Sequence, residues 1–256
     1  MNYVVDAYVH CGLSNYKPLA GVVTAMEGAG VERAVLVQHL GEYDNSYIGG
    51  VVAAQPERFT GVCLVDTFAP DPVRDLDRWL AGGCFGGIRL ELQHLERAPR
   101  LYDAAVERGL NIVLCTIGGL GDSLHGLRTF LAAHPDCSLT LTHWGWPRAI
   151  DAPDFEPYRE VLELAKYPGV FLQLSGLGMF AADAPRVFHS AVSLALDAFG
   201  DERLVWGSNF PVSGRDAAGY RSELRQFIDG ELALPAASRA KILGGNAARR
   251  WFVHHS

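Results

Sequence analysis

Two histidines, His10 and His143, are the side chains best suited to chemistry, because each stands at the end of a short apolar run. An imidazole titrates near neutral pH, so it can act as a general base or bind a metal ion. Tyr8 and Asn209 add a hydroxyl and an amide, and Arg89 adds a guanidinium that can hold a carboxylate by forked hydrogen bonds. Each of these residues alone is more often structural than catalytic, so a site is predicted only if they converge.

The elements that would position these residues are eight short runs rich in Val, Leu and Ile. Runs this short and this apolar are typical of strands buried on both faces. Segments with helical spacing separate them, and Gly30, Gly109 and Gly200 stand where helices would end. The predicted strands are Tyr3–Val9, Arg33–Gln38, Phe59–Val65, Phe85–Leu90, Asn111–Thr116, Ser138–His143, Val170–Ser175 and Arg203–Ser208.

Strand and helix alternating eight times predict a parallel sheet closed into a (β/α)8 TIM barrel, with residues 1–256 as one domain. The stretch Leu234–Phe252 is predicted to form an additional C-terminal helix. A doubly wound sheet would need a glycine-rich turn after its first strand, which Val9–Gly12 lacks. Because barrel sites lie at the C-terminal ends of strands, His10, His143 and Asn209 should meet at one mouth. Strand alternation further predicts that Asp6 shares a face with Tyr8 and His10.

Composition narrows the classes of partner. Asp and Glu number 29 against 22 Lys and Arg, a formal charge of −7 that disfavours nucleic acid as a partner. No apolar run reaches the length of a membrane span, and the N-terminus does not resemble a signal peptide. The five cysteines are odd in number and widely spaced, which favours reduced thiols in the cytoplasm. A small-molecule substrate is therefore expected, and a homo-oligomer is left open.

Several segments in order along the whole chain resemble the amidohydrolase-related family, in the branch with 2-pyrone-4,6-dicarboxylate lactonase and the sugar lactonases. The resemblance implies that His10 and Asp6 match the second His and the Asp of the family's Asp-x-His-x-His, and that His143 matches a later His. Tyr8 stands in place of the first His, and Asn209 in place of the Asp in Gly-Ser-Asp-x-Pro. The segments are VDAYVHCG, ERAVLVQ, PERFTGVCLVD, GGIRL, LTHWGWP, VFLQLSGLG, WGSNFPV and GGNAARRWF.

These two departures bear on metal binding. In metal-dependent relatives the matching residues surround a divalent ion, but a neutral Tyr8 and an amide at Asn209 are poor ligands. Only His10 and His143 remain as good donors, so we expect no resident metal and at most a weak divalent ion at these two. The pyrone lactonase branch is known for working without metal, in keeping with that expectation.

Asn209 also cannot serve as the water-activating base that the family's Asp provides. Three explanations stay open: an engineered Asp→Asn change, transfer of the base role to His143 or His10, or loss of hydrolysis. Tyr8 argues against the first explanation alone, because a single deliberate change would not also replace the histidine.

The function that we predict is a metal-independent hydrolase acting on a small lactone or related cyclic carbonyl compound. His143 is the expected general base, while Tyr8, His10 and Asn209 are expected to polarise the carbonyl. The alternatives are a lyase or decarboxylase, an isomerase or a cyclase on the same scaffold, and a barrel that binds a ligand without catalysis. The residues expected to bind substrate or to line its pocket are Arg89, Gln38, Trp144, Trp146 and Arg215.

Overall fold

The computed structural model describes residues 3–180, 183–232 and 234–252, and these contain eight parallel strands in sequential order. All eight predicted strands are present, each within two residues of its expected limits. The strands are β1 Val5–Val9, β2 Arg33–Val37, β3 Phe59–Cys63, β4 Phe85–Glu91, β5 Asn111–Cys115, β6 Leu139–Leu141, β7 Val170–Ser175 and β8 Leu204–Gly207.

The sheet closes between its first and last strands. The His10 amide donates to the Phe210 carbonyl at 2.8 Å, and the Asn209 amide donates to the Tyr8 carbonyl at 2.8 Å. Gly207 permits this approach, because a Cβ atom at this position would lie 2.8 Å from the Tyr8 Cβ. The chain is therefore a (β/α)8 barrel, as predicted.

Helices follow the strands and pack around them. Gly30 ends the first helix in the left-handed conformation, with φ of 73°, as expected of a glycine at this position. The helices are α1 Leu19–Ala29, α2 Ser46–Ala54, α3 Pro72–Leu80, α4 Pro99–Glu107, α5 Ser123–Ala133, α6 Glu156–Leu162, α7 Ala184–Val187, α8 His189–Phe199, α9 Ala217–Ile228, α10 Ala236–Ala240 and α11 Asn246–Trp251.

The last two helices form the predicted C-terminal extension. A turn of π-helix, Lys241–Gly245, joins α10 to α11, so the extension is helical from Ala236 to Trp251. The Trp251 ring packs against the end of the barrel at which the strands begin. It lies so close to Gly87 that a Cβ atom at this position would be 2.9 Å from the ring. No helix among the described residues has both the length and the apolar character needed to cross a membrane.

The prediction that Asp6 shares a face with Tyr8 and His10 is wrong. The pairing register between β1 and β2 shifts between Asp6 and Val9, which breaks simple alternation. Asp6 instead accepts hydrogen bonds from the Tyr8 amide, from the amide and hydroxyl of Ser208, and from the Tyr220 hydroxyl on α9. Burial raises the pKa of Asp6 to about 6, although these hydrogen bonds oppose the shift. Asp6 therefore connects β1 to the loop after β8 and to α9 by hydrogen bonds.

Candidate active site

Five polar side chains from β1, β4 and the loops after β1, β6 and β8 lie at the C-terminal mouth of the barrel. Tyr8, His10, Arg89, His143 and Asn209 are each no more than 4% exposed. The Tyr8 ring is central, with its centroid 5.0 Å from that of His10 and 5.3 Å from that of His143. The Arg89 Cζ lies 5.8 Å from the same ring. The structure thus brings together residues that are up to 201 positions apart in the chain.

Gly176, directly after β7, is where His143 and Asn209 come closest to a common point. A Cβ atom on Gly176 would lie 3.1 Å from His143 Nδ1, 3.2 Å from Asn209 Nδ2 and 2.8 Å from Met179 Sδ. Its φ is 70°, a value that also favours glycine. A side chain at this position would therefore displace two site residues.

The His10 ring is fixed in one tautomer. Its Nδ1 lies 2.6 Å from the Val37 carbonyl oxygen, which can only accept, so Nδ1 carries the proton. The Nε2 atom is then an unprotonated acceptor. Tyr16, in the loop after β1, stacks on the ring with centroids 4.9 Å apart. His10 is therefore held in position on two sides.

The tautomer of His143 follows from a chain of hydrogen bonds. Gln173 donates its Nε2 to the Ala7 carbonyl at 3.0 Å, which leaves its Oε1 to accept the Ser175 hydroxyl at 3.1 Å. Ser175 has then used its only proton, so its oxygen accepts from His143 Nδ1 at 3.1 Å. His143 Nε2 is consequently an unprotonated acceptor as well.

The turn that carries His143 is built from left-handed backbone. His143, Trp144, Gly145 and Trp146 have φ values of 48°, 63°, 70° and 67°. Such conformations are unfavourable for residues other than glycine and persist where the surroundings impose them, often at active sites. The surroundings here include the His143 amide, which donates to Ser175 at 3.1 Å.

Both imidazoles are neutral in this environment. Burial and, second to it, the nearby positive charge of Arg89 together lower the pKa of His143 to about 3. Burial and the Arg89 charge also hold the pKa of His10 well below its usual value. At neutral pH each ring therefore carries its one proton on Nδ1 and offers the lone pair of Nε2 as an acceptor.

Arg89 is a buried cation, and only some of the hydrogen-bond donors of its guanidinium have partners. Its Nη1 donates to the Gln38 carbonyl at 2.9 Å, and Nη2 approaches Cys115 Sγ at 3.9 Å. Its Nε has no hydrogen-bond partner among the described residues, and no carboxylate of those residues pairs with it. A buried positive charge of this kind is costly unless it meets negative charge.

Two further buried polar atoms at the mouth lack partners among the described residues: the Tyr8 hydroxyl and Asn209 Oδ1. The Asn209 Nδ2 contacts Met179 Sδ at 2.7 Å, so the oxygen is the free end of this amide. Burial raises the pKa of Tyr8, which keeps its hydroxyl a neutral donor. Buried polar atoms without partners are rare in proteins and indicate a place for water or ligand.

The free atoms divide into two kinds. Tyr8 and Arg89 offer donors, whereas His10, His143 and Asn209 offer acceptors. The free atoms of His10 and Asn209 accept hydrogen bonds, which differs from the expectation that they donate to a substrate carbonyl oxygen. The free donors in this cluster belong to Tyr8 and Arg89.

Three of the expected substrate-binding residues lie elsewhere or act differently. Trp144 is fully buried and stacks on Phe227 of α9 behind the sheet, so it does not line the mouth. Arg215 is exposed in the loop before α9 and is not part of the buried cluster. The Gln38 side chain is engaged by its own loop, and only its carbonyl reaches Arg89.

Trp146 does border the site. Its ring centroid lies 6.4 Å from that of His143 and 5.0 Å from that of Phe180. It also lines a cleft of about 300 Å³ between the loops after β5 and β6. The two tryptophans therefore have different surroundings: Trp144 packs against Phe227, and Trp146 lies beside His143.

Sequence reasoning missed the residues that support the site. Ser175 and Gln173 alternate along β7 and could have been found as two polar residues at the end of a buried strand. Tyr16, Cys115 and Met179 carry no local signal, because only the folded chain brings them against His10, Arg89 and Asn209.

The residues at the mouth do not fit a resident zinc ion. A catalytic zinc site usually has three protein ligands, and His10 and His143 are the only strong donors in this cluster. No group of three or more His, Cys, Asp or Glu suited to a metal occurs within the described part of the chain. The Arg89 charge would also repel a cation. We therefore derive no step through a metal.

These features define a (β/α)8 barrel with a cluster of buried polar side chains at the C-terminal ends of its strands. The amidohydrolase family model matches residues 13–253, so the chain belongs to the amidohydrolase family.

Two characterised relatives are lactone-cleaving enzymes by name. An L-fucono-1,5-lactonase of Burkholderia multivorans is 36% identical over 206 residues, covering 72% of this chain and 68% of the relative. A 4-sulfomuconolactone hydrolase of Rhizobium radiobacter is 28% identical over 262 residues, covering 92% and 81%.

Among solved structures, a putative 2-pyrone-4,6-dicarboxylic acid hydrolase from Pseudomonas putida is similar in fold. It has a TM-score of 0.79 and 20% identity, and the match covers 98% of this chain and 97% of that one. This similarity extends the (β/α)8 architecture to nearly the whole chain.

Proposed function

We propose that this protein hydrolyses a small lactone, without a resident metal ion, and that the substrate carries an anionic substituent. The observation that carries the proposal is the set of buried, unpartnered donors and acceptors around Tyr8. Lactone hydrolysis needs both kinds: an acceptor for a proton of water, and a donor for the carbonyl oxygen as it gains charge. The lactonase and lactone hydrolase names of the relatives favour the same reaction.

In the proposed reaction His143 Nε2 accepts a proton from water, and the oxygen of that water attacks the lactone carbonyl carbon. Asn209 Oδ1 accepts a hydrogen bond from the other O–H of the water and so orients the water. The Tyr8 hydroxyl donates to the carbonyl oxygen as it becomes negative. The bond to the ring oxygen then breaks, His143 returns its proton to that oxygen, and a hydroxy acid leaves.

The low pKa of His143 requires that the substrate raise it. A base is most effective when its pKa lies near the working pH, and a pKa of about 3 is far below it. Burial is the larger cause of the low value, and the Arg89 charge is the second. A substrate carboxylate paired with Arg89 cancels that charge, so substrate binding itself makes His143 a stronger base.

Matched pairs of five- and six-membered lactones, with and without a carboxylate, test this proposal in a proton-release assay. We expect kcat/KM to be higher for the carboxylated member, and Arg89→Gln to remove that preference. Replacement His143→Ala should lower turnover by about 10²–10⁴, the usual contribution of a general base. Turnover retained in His143→Ala would contradict its assigned role.

The same panel separates the alternatives. Release of carbon dioxide from a carboxylated substrate without ring opening would favour a lyase, and saturable binding without turnover would favour a ligand-binding barrel. We place the activity in the cytoplasm, which all five free cysteines favour.

A further inference from the structure

A second group of polar side chains lies at the opposite end of the barrel, where the strands begin. Asn111 is the first residue of β5, Arg203 directly precedes β8, and Arg249 and Arg250 belong to α11. These residues border a cleft of about 560 Å³. The remaining residues that line it are Gly109, Ser138, Pro168, Phe171, Glu202 and Asn246.

Two of the three arginines in this basal cleft have partners. Arg203 donates Nη1 to the carbonyl oxygens of Ala165 at 2.7 Å and Tyr167 at 3.0 Å. Arg249 pairs with Glu202 at 2.6 Å. Glu202 also pairs with Lys241 at 2.7 Å, and Lys241 pairs in addition with Asp201 at 3.0 Å, so these two carboxylates face four cations: Arg203, Arg249, Arg250 and Lys241. The cleft therefore keeps an excess of positive charge.

Arg250 is the exception. Its Nε and Nη2 atoms are buried and have no hydrogen-bond partner among the described residues. Its Cζ lies 4.1 Å from the centre of the Phe171 ring, so one face of the guanidinium is covered. Burial lowers the pKa of Arg250 to about 9, which reflects the cost of an unpaired buried charge.

The two unpartnered atoms have a specific geometry. The Nε–H and one Nη2–H bond of a guanidinium point the same way along one edge, and this edge pairs with two oxygens of a carboxylate or phosphate. Because Phe171 covers the face, the edge is the part of Arg250 left for recognition. Arg250 lines the cleft, but its Nε and Nη2 atoms are buried, so a ligand in the cleft reaches this edge by a rotation of the side chain.

We propose that the basal cleft is a binding site for a small oxyanion, a carboxylate or a phosphate, held by the Nε–Nη2 edge of Arg250. The excess positive charge of the cleft attracts the ligand, and Asn111 Nδ2, which donates one hydrogen to the Arg250 carbonyl at 3.3 Å, keeps a second hydrogen for it. The site lies at the far end of the barrel from His143 and is independent of the proposed hydrolysis.

Thermal unfolding with added phosphate or succinate, at constant ionic strength and pH, tests the site. Phosphate stabilises many proteins nonspecifically, so the readout is the difference between variants. We expect a saturable rise of the unfolding midpoint in the wild type, and an apparent Kd at least about tenfold weaker in Arg250→Gln. The control Arg225→Gln, which removes an exposed arginine of α9, should behave as the wild type. The additive that raises the unfolding midpoint, succinate or phosphate, shows whether the ligand is a carboxylate or a phosphate.

A second variant distinguishes the two ends of the barrel. Arg89→Gln should retain the response, because Arg89 lies at the catalytic mouth. Loss of the response in Arg89→Gln with full retention in Arg250→Gln would overturn the proposal, as would equal responses in all variants. If Arg250→Gln does not fold, NMR titration of the wild type decides: saturable shifts at Asn111, Ser138 and Phe171 support the site, and shifts confined to residues around Tyr8 contradict it.

Discussion

The hydroxyl of Tyr8 is buried without a hydrogen-bond partner among the described residues, at the centre of the C-terminal mouth of the barrel. A group of this kind costs stability in the free protein, since its bonds to water are not replaced. The same group can stabilise an oxyanion when substrate arrives. Stability and activity should therefore respond in opposite directions to its removal.

We predict that Tyr8→Phe lowers kcat/KM for lactone hydrolysis by about 10²–10³, the usual effect of losing one oxyanion donor. The unfolding midpoint should stay constant or rise. The matched control is Tyr220→Phe, which removes a hydroxyl bonded to Asp6 at 2.9 Å and should destabilise the protein by about 1–3 kcal/mol. A large loss of stability in Tyr8→Phe would show that its hydroxyl has a partner in solution.

The substitution Asn209→Asp tests whether His143 is the natural general base or Asn209 is an engineered replacement of an aspartate. If His143 is the natural base, Asn209→Asp places a carboxylate beside the developing negative charge and should lower the rate. If Asn209 is an engineered change, the carboxylate restores a base and should raise the rate by about 10²–10⁴. We expect the decrease, measured as kcat/KM on the best lactone substrate. A large gain would refute the assignment of the base role to His143.

At the scale of elements, Glu223 ties the loops after β7 and β8 to α9. Its carboxylate accepts from the Ser213 hydroxyl, which itself accepts from the Gly178 amide at 2.7 Å. Both loops contact Asn209: Ser213 donates its amide to the Asn209 carbonyl at 2.9 Å, and Met179 touches the Asn209 side chain. Burial raises the pKa of Glu223 to about 7.

This raised pKa predicts how stability depends on pH. The folded state favours protonated Glu223, so its contribution is fully present below the usual pKa of 4.5 and is lost as pH rises to about 7. Asp6, with its pKa of about 6, acts in the same direction but over a lower range. The free energy of unfolding should therefore fall between about pH 6 and 7 mainly through Glu223.

Denaturant unfolding across this range provides the measurement. Glu223→Gln should flatten the decline between about pH 6 and 7 while leaving the lower part that Asp6 causes. The control Glu231→Gln removes an exposed carboxylate beyond α9 and should leave the profile unchanged. An unaltered profile in Glu223→Gln would assign the decline to another group.

At the scale of the whole molecule, the metal content is the broadest prediction. Protein purified without added zinc should carry well under one equivalent, and chelators should leave hydrolysis unchanged, because the mouth offers two imidazoles and a nearby cation in place of three ligands. Elemental analysis provides the measurement. An ion at full occupancy, about 2.0–2.1 Å from His10 and His143 nitrogens, would refute the prediction.

The sequence alone determined the strands, the barrel and the end at which the site lies. Apolar runs and helix-ending glycines are local signals, and parallel strands joined by helices place every strand end at one mouth. His10, Arg89, His143 and Asn209 could therefore be assigned to a common site from their positions at or near the ends of predicted strands.

Only the tertiary structure decided what those residues can do. The His10 tautomer depends on Val37 and that of His143 on Ser175, partners 27 and 32 positions away. Trp144 and Trp146 were both expected to line the pocket, but Trp144 packs on Phe227 of α9, a contact that only the folded chain creates. Proton positions and unpaired atoms are properties of contacts through space, so periodicity along the chain cannot supply them.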